Sequence, residues 1–102
     1  MVTPNWRHRG TYIRTRVQRK KNLGEINIEP AWADEAYLDV DAVRFADPSS
    51  RSGRGVRTVG WSESVGMLIT VITIEDGGVL WGVNAWKANE TDREVYRKGA
   101  MR

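Results

Sequence analysis

Three runs dominated by β-branched and aromatic residues lie between Val56 and Ala85, and two turn sequences divide them. In the first run Val56, Thr58 and, after a slip at Gly60, Trp61 alternate with Arg57 and Val59. The second, Met67 to Ile74, is almost wholly apolar, the pattern of a central strand covered on both faces. The third runs from Val79 to Ala85. Between them stand Ser62-Glu63-Ser64-Val65-Gly66 and Glu75-Asp76-Gly77-Gly78, both rich in turn-forming residues. Connections this short force antiparallel pairing, so the pattern predicts a meander. A polar segment follows at once. Asn89 with Asp92, and Thr91 with Glu94, have capping-box spacing and predict a helix to about Lys98, stopped by Gly99.

Upstream the periodicity is helical. Pro30 suits a first helical position, and Ala33, Ala36 and Tyr37 share a face that Val40, Val43 and Phe45 continue. One helix, or two short ones, is expected from about Pro30 to Arg44, ended by Asp47-Pro48. Residues 49–55, SSRSGRG, read as a flexible loop, since the Walker spacing with its lysine is absent. From Thr11 to Asn22, Tyr12, Ile13 and Val17 give only a thin apolar stripe, so this stretch is a basic helix capped at Gly24 or an arm that orders on a partner. The expected fold class is α+β, a small antiparallel sheet of three to four strands packed with N-terminal helices and a C-terminal helix. One domain spans residues 1–102: a basic arm or helix over 1–22, a helical segment over 23–50, and the meander with its final helix over 51–102.

Composition narrows the setting. A chain of 102 residues, 40% hydrophobic and 28% charged, has room for one modest core. With no cysteine there is no disulfide framework and no thiolate metal site, which fits a cytoplasmic protein. No apolar run approaches the ~20 residues of a membrane span, and the N-terminus has no signal-peptide h-region. The net charge of +3 is unevenly spread. Residues 1–21 carry Arg7, Arg9, Arg14, Arg16, Arg19, Lys20 and Lys21 and no acid, whereas residues 25–47 are acidic. Such an arm suits a phosphate backbone, an acidic protein, or nothing but solvent.

Several segments, in order, resemble the BrnT family of type II toxin–antitoxin ribonuclease toxins, which share the RelE-like fold. The similarity covers roughly residues 29–98. Its marks are Phe45-Ala46-Asp47-Pro48, Gly60-Trp61-Ser62, the apolar run 67–74, the Gly77-Gly78 turn, Asn84-Ala85-Trp86-Lys87-Ala88-Asn89, and Arg93-Glu94-Val95-Tyr96. Trp86 stands where that family places an arginine, a phosphate or transition-state contact; Lys87 keeps a cation next door and Asn89 replaces a threonine cap. The resemblance implies a metal-independent endoribonuclease, with RNA and a cognate antitoxin as partners and no cofactor or metal.

Metal-free RNA cleavage needs a base near the ribose 2′-oxygen, an acid near the leaving 5′-oxygen, and cations around the phosphorane. Lys87, at the strand–helix junction, and Arg93, one to two turns along the helix, are the candidate cations. Tyr96 shares a helix face with Arg93 and could orient the phosphate or act as a weak acid, or anchor the helix in the core. His8, the one histidine, is the acid–base candidate by its intrinsic pKa. Arg14, Arg16, Arg19 and Arg57 are candidate RNA contacts, and Trp86 is the best base-stacking candidate among Trp61, Trp81 and Trp86. Asp39 and Asp41 lie off a common helix face with no histidine beside them, which argues against a metal site. The competing classes are a non-catalytic RNA-binding module and a protein-interaction domain on the same fold.

Overall fold

The computed structural model describes residues 2–19 and 24–100. The chain builds α1 (Gly10–Arg14), α2 (Arg16–Arg19), α3 (Pro30–Leu38), β1 (Val43–Ala46), β2 (Val56–Ser62), β3 (Met67–Asp76), β4 (Val79–Lys87) and α4 (Glu90–Ala100). The four strands form one antiparallel sheet in the order β1-β2-β3-β4. The architecture is α+β, an antiparallel meander packed with helices.

The sheet has two unlike faces. On the inner one, Ile69, Val71 and Ala85 pack with Ile13 of α1, Ile28, and Ala33 and Ala36 of α3, all fully buried. Burying a Val- or Ile-sized side chain contributes about 1.5–3 kcal/mol, so these few residues are the main apolar anchor. Directly paired residues share a face. The outer face therefore carries Val43, Val59, Thr70 and Trp86 in one row and Phe45, Arg57, Ile72 and Asn84 in the next. α4 covers part of it, with Gly99 against Val43: a Cβ there would lie 2.4 Å from a Val43 methyl.

Four expectations need correction. The helix from Pro30 ends at Leu38, and Val43 to Ala46 form β1 instead of continuing it. Asp39 causes the break: its carboxylate accepts the backbone N–H of Asp41 (3.0 Å) and of Trp61 on β2 (2.8 Å), an Asx turn that also draws the chain onto the sheet. Beyond it, Val43 and Phe45 alternate opposite Val59 and Arg57. The basic helix from Thr11 is two short pieces broken at Thr15, whose hydroxyl bonds the Thr11 carbonyl (2.8 Å). Of its expected end at Asn22-Leu23-Gly24, residues 22 and 23 lie outside the described residues, and Gly24 has a left-handed φ of +91°. β4 runs on through Trp86 to Lys87. α4 passes through Gly99, where the missing side chain serves close packing on β1 and not a stop.

The N-terminal segment belongs to the domain. Asn5 exchanges backbone hydrogen bonds with Leu80 and Gly82 along the outer edge of β4 (2.8 and 2.9 Å). Trp6 donates its indole N–H to Asp34 (3.0 Å), and its ring fills the space over Gly82, where a Cβ would lie 2.5 Å from it. The edge strand is thereby capped.

Glu35 on α3 clamps the first hairpin. It accepts hydrogen bonds from the Ser62 hydroxyl (2.6 Å), the Ser64 backbone N–H (3.0 Å) and the Ser64 hydroxyl. The Ser62 hydroxyl first, then the two Ser64 donors, hold its carboxyl below the usual glutamate range. A depressed folded-state pKa stabilises the fold above the ordinary value near 4.5, and that contribution is lost as pH falls through the folded value. Acid titration of Glu35→Gln should accordingly show a flatter loss of stability below the ordinary glutamate range than wild type. Parallel acid limbs would show that the clamp contributes nothing.

Candidate functional site

The strand–helix junction is a cleft. Trp86 and Lys87 end β4, Ala88 is buried, and Asn89 caps α4 by accepting the Asp92 backbone N–H (2.9 Å). Lys87, Ala88, Asn89, Glu90 and Arg93 line a cavity of about 240 Å³ closed on its far side by Gly24 and Glu25. Lys87 is exposed and makes no ion pair among the described residues. Arg93 donates to the Ala88 carbonyl (3.0 Å) and to Glu90, which hold its guanidinium at the rim. Glu25 accepts a hydrogen bond from Arg16 Nε through Oε2 (2.7 Å). The junction thus collects two carboxylates, Glu25 and Glu90, and two cations, Lys87 and Arg93, around one cavity, with a third cation, Arg16, behind Glu25.

Arg16 joins this cleft to the outer face of the sheet. Nearly buried, it binds Glu25 through Nε and the Asn84 amide oxygen through Nη1 (3.3 Å). Its guanidinium lies 5.3 Å from the centre of the Trp86 ring, and that of Arg57 lies 5.4 Å from the same ring. Arg57 is ion-paired with Asp47 (2.8 Å) and Asp92 (3.3 Å). Asp92 also accepts from the Thr70 hydroxyl (2.8 Å). This charged layer sits between the sheet and α4, shielded from water, where a paired charge is held rigidly and an unpaired one is costly.

The candidates therefore divide. Lys87 and Arg93 share the cleft. Arg16, Arg57 and Trp86 come together beside it, but the two arginines are buried in ion pairs and Trp86 is half-buried with them, so Trp86 is not the open stacking platform expected. Tyr96 points elsewhere: its hydroxyl donates to Asp39 (2.7 Å), which ties α4 to the turn before β1. Burial and then the Asp39 carboxylate push the Tyr96 phenol far above its usual range, the wrong direction for an acid. Tyr96 is an anchor. His8 stacks on Trp81, with ring centres 4.9 Å apart, at the opposite end of β4 from Lys87. Six residue steps along the strand lead from Trp81 to Lys87, about 20 Å at the usual rise, so His8 takes no part in the cleft. Arg14 pairs with exposed Glu29 (3.0 Å) and Arg19 lies over the Tyr12 ring (3.6 Å), both away from the junction.

Glu25, Asn84, Asp47 and Asp92 complete the site and are missed as candidates in the sequence. Glu25 does have a signal, as the first acid after the basic run. Asp47 and Asn84 fall within the motifs quoted above, where Asp47 reads only as a helix terminator. No described helix is long and apolar enough to cross a membrane, and no group of three or more His, Cys, Asp or Glu is placed to hold a metal ion among the described residues. No family model matches this chain, and neither a curated protein nor a solved structure matches it.

Proposed function

We propose that the chain is the toxin of a type II toxin–antitoxin pair, a cytoplasmic metal-independent endoribonuclease that binds its scissile phosphate in the cleft between Lys87 and Arg93. The observation that carries this is the meeting of Glu25, Lys87 and Arg93 around one small cavity. Glu25, whose Oε2 is bound to Arg16, is the general base that takes the ribose 2′-hydroxyl proton. The 2′-oxygen attacks phosphorus, the bond to the 5′-oxygen breaks, and a 2′,3′-cyclic phosphate remains. Lys87 and Arg93 offset the charge that builds on the phosphorane, and the Lys87 ammonium supplies a proton to the leaving 5′-oxygen. Support for a toxin comes from the Phe45–Pro48, Gly60–Ser62 and Asn84–Asn89 segments, whose order resembles that of BrnT-like toxins. A cognate antitoxin is then the expected protein partner, and RNA the substrate.

The test uses labelled single-stranded RNA in the presence of a chelator. Wild type should leave cyclic-phosphate ends, and Lys87→Ala or Glu25→Gln should each slow cleavage about 10²-fold or more, the usual worth of one acid–base or charge-stabilising group. Induced expression should arrest growth, and either substitution should relieve it.

A second reading, a non-catalytic RNA-binding module, is favoured by one observation: Arg93 and Arg16 already have protein partners. It predicts salt-sensitive binding without cleavage. If RNA is neither cut nor bound at physiological salt, both readings fail.

A further inference from the structure

Beside the cleft, the outer face of the sheet holds a second concavity, of about 410 Å³, that the chemistry above does not use. Its floor is Ile72, Ile74 and Val83, Trp86 closes one end, and Arg51 of the loop after β1 stands on the other wall. The floor exists because of a break in register. Ile72 pairs with Asn84 and Thr73 with Gly82, so Val83 is the extra residue of a β-bulge. Neighbouring residues on a regular strand point to opposite faces; here both Val83 and Asn84 line the concavity.

Asn84 gives the concavity a defined polarity. Its amide oxygen accepts from Arg16 Nη1 (3.3 Å) and from the Ala85 backbone N–H (2.9 Å), so the amide orientation is set by two donors. The Nδ2 group, with two N–H donors and no acceptor among the described residues, remains for a guest. Asp47 also borders the space, but its charge is spent on Arg57. The concavity thus offers a flat apolar floor, a fixed donor pair and a cation at its mouth, and those features match a nucleotide with a carbonyl-bearing base.

We propose that this groove binds the base of the nucleotide next to the scissile phosphate and selects bases that present a carbonyl oxygen to Asn84, namely uracil, cytosine or guanine, over adenine, which has none. The inference rests on the RNA-cleavage reading. Arg16 makes the two sites neighbours, since a single guanidinium binds Glu25 of the cleft and Asn84 of the groove. The base lies on Ile72, Ile74 and Val83, and Arg51 meets the phosphate on its far side.

Asn84→Asp is the informative substitution, because a carboxylate oxygen still serves Arg16 and Ala85 while the donor pair becomes an acceptor. Two measurements follow. In amide NMR titrations of wild type, uridine 5′-monophosphate should shift the Asn84 side-chain and Trp86 indole signals with about tenfold tighter binding than adenosine 5′-monophosphate, roughly the worth of one good base-edge contact. Sequencing of cleavage ends from a randomised RNA should show that wild type disfavours adenine at one position and that Asn84→Asp loses this bias. As a second variant, Ile74→Glu should abolish the uridine-induced shifts. RNA cut with an unchanged base profile in Asn84→Asp, or nucleotide shifts confined to Lys87 and Arg93, overturns the base groove while leaving the ribonuclease reading intact. Absence of any cleavage or binding by wild type overturns both.

Discussion

Gly60→Ala is expected to cost about 3 kcal/mol or more, the upper range for overpacking a core. A Cβ at residue 60 would lie 1.9 Å from the carbonyl oxygen of Ala36, 2.7 Å from its carbonyl carbon and 3.1 Å from its Cα. All three are backbone atoms of α3, so no rotamer change relieves the clash. Either α3 or β2 must retreat by more than 1 Å, and the interface that gives way is the main core. Ala33 and Ala36 would lift from Ile69 and Val71, which pair with β2 and β4. Gly66→Ala is the matched control: Gly66 has φ +64° and nothing within 4 Å of its Cβ position. It should lose only the left-handed penalty of about 1–2 kcal/mol. In a domain of this size 1 kcal/mol moves Tm by roughly 4–8 °C, so thermal melts separate the two easily. Equal shifts for both variants would show that α3 is not clamped onto β2 at Gly60.

That close approach also shows what is legible in the chain and what is not. The meander is legible because its connections are too short for any pairing but antiparallel, and because Met67–Ile74 has the composition of an inner strand. Gly60 reads only as a slip in alternation, since nothing local says that a helix backbone will rest on it. Val43–Ala46 fails for a similar reason. Val43 and Phe45 suit a helical face or a strand face equally, and the choice is made by Asp39, whose partners on β2 and α4 lie 22 and 57 residues away. At the site, adjacency along the chain puts Lys87 and Arg93 together, as expected of a strand–helix junction. Spacing within a helix brings Tyr96 near Arg93 in sequence, yet Asp39 claims its hydroxyl. Glu25 reaches the cleft only because Arg16 holds it, and Asn84 faces the groove with Val83 only because of the bulge. Contacts of that range have no periodic signature.

Arg57→Met should rival Gly60→Ala in cost and fail for an electrostatic reason. The side chains of Arg57, Asp47 and Asp92 are 11%, 7% and 3% exposed, so their charges are almost fully withdrawn from water. Removing the shared cation leaves two buried carboxylates with no counter-ion, and breaking a buried pair typically costs about 3–5 kcal/mol. Methionine keeps the volume, so cavity formation is a minor part of the loss. The damage should also reach the cleft. Asp92 fixes the first turn of α4 through Arg57 and Thr70, and that turn carries Asn89 and Arg93 at the cavity rim. Urea denaturation measures the first effect, and, on the ribonuclease reading proposed above, RNA cleavage by the still-folded fraction at low temperature measures the second. Adding Asp47→Asn and Asp92→Asn to Arg57→Met removes the stranded charges and should restore most of the stability, a non-additivity that separate packing losses would not produce. If the triple variant is less stable than Arg57→Met by the sum of its single costs, the network is held by packing and not by charge. If it recovers stability but not cleavage, the arginine also acts on the site, through Trp86 and the cation layer beside it.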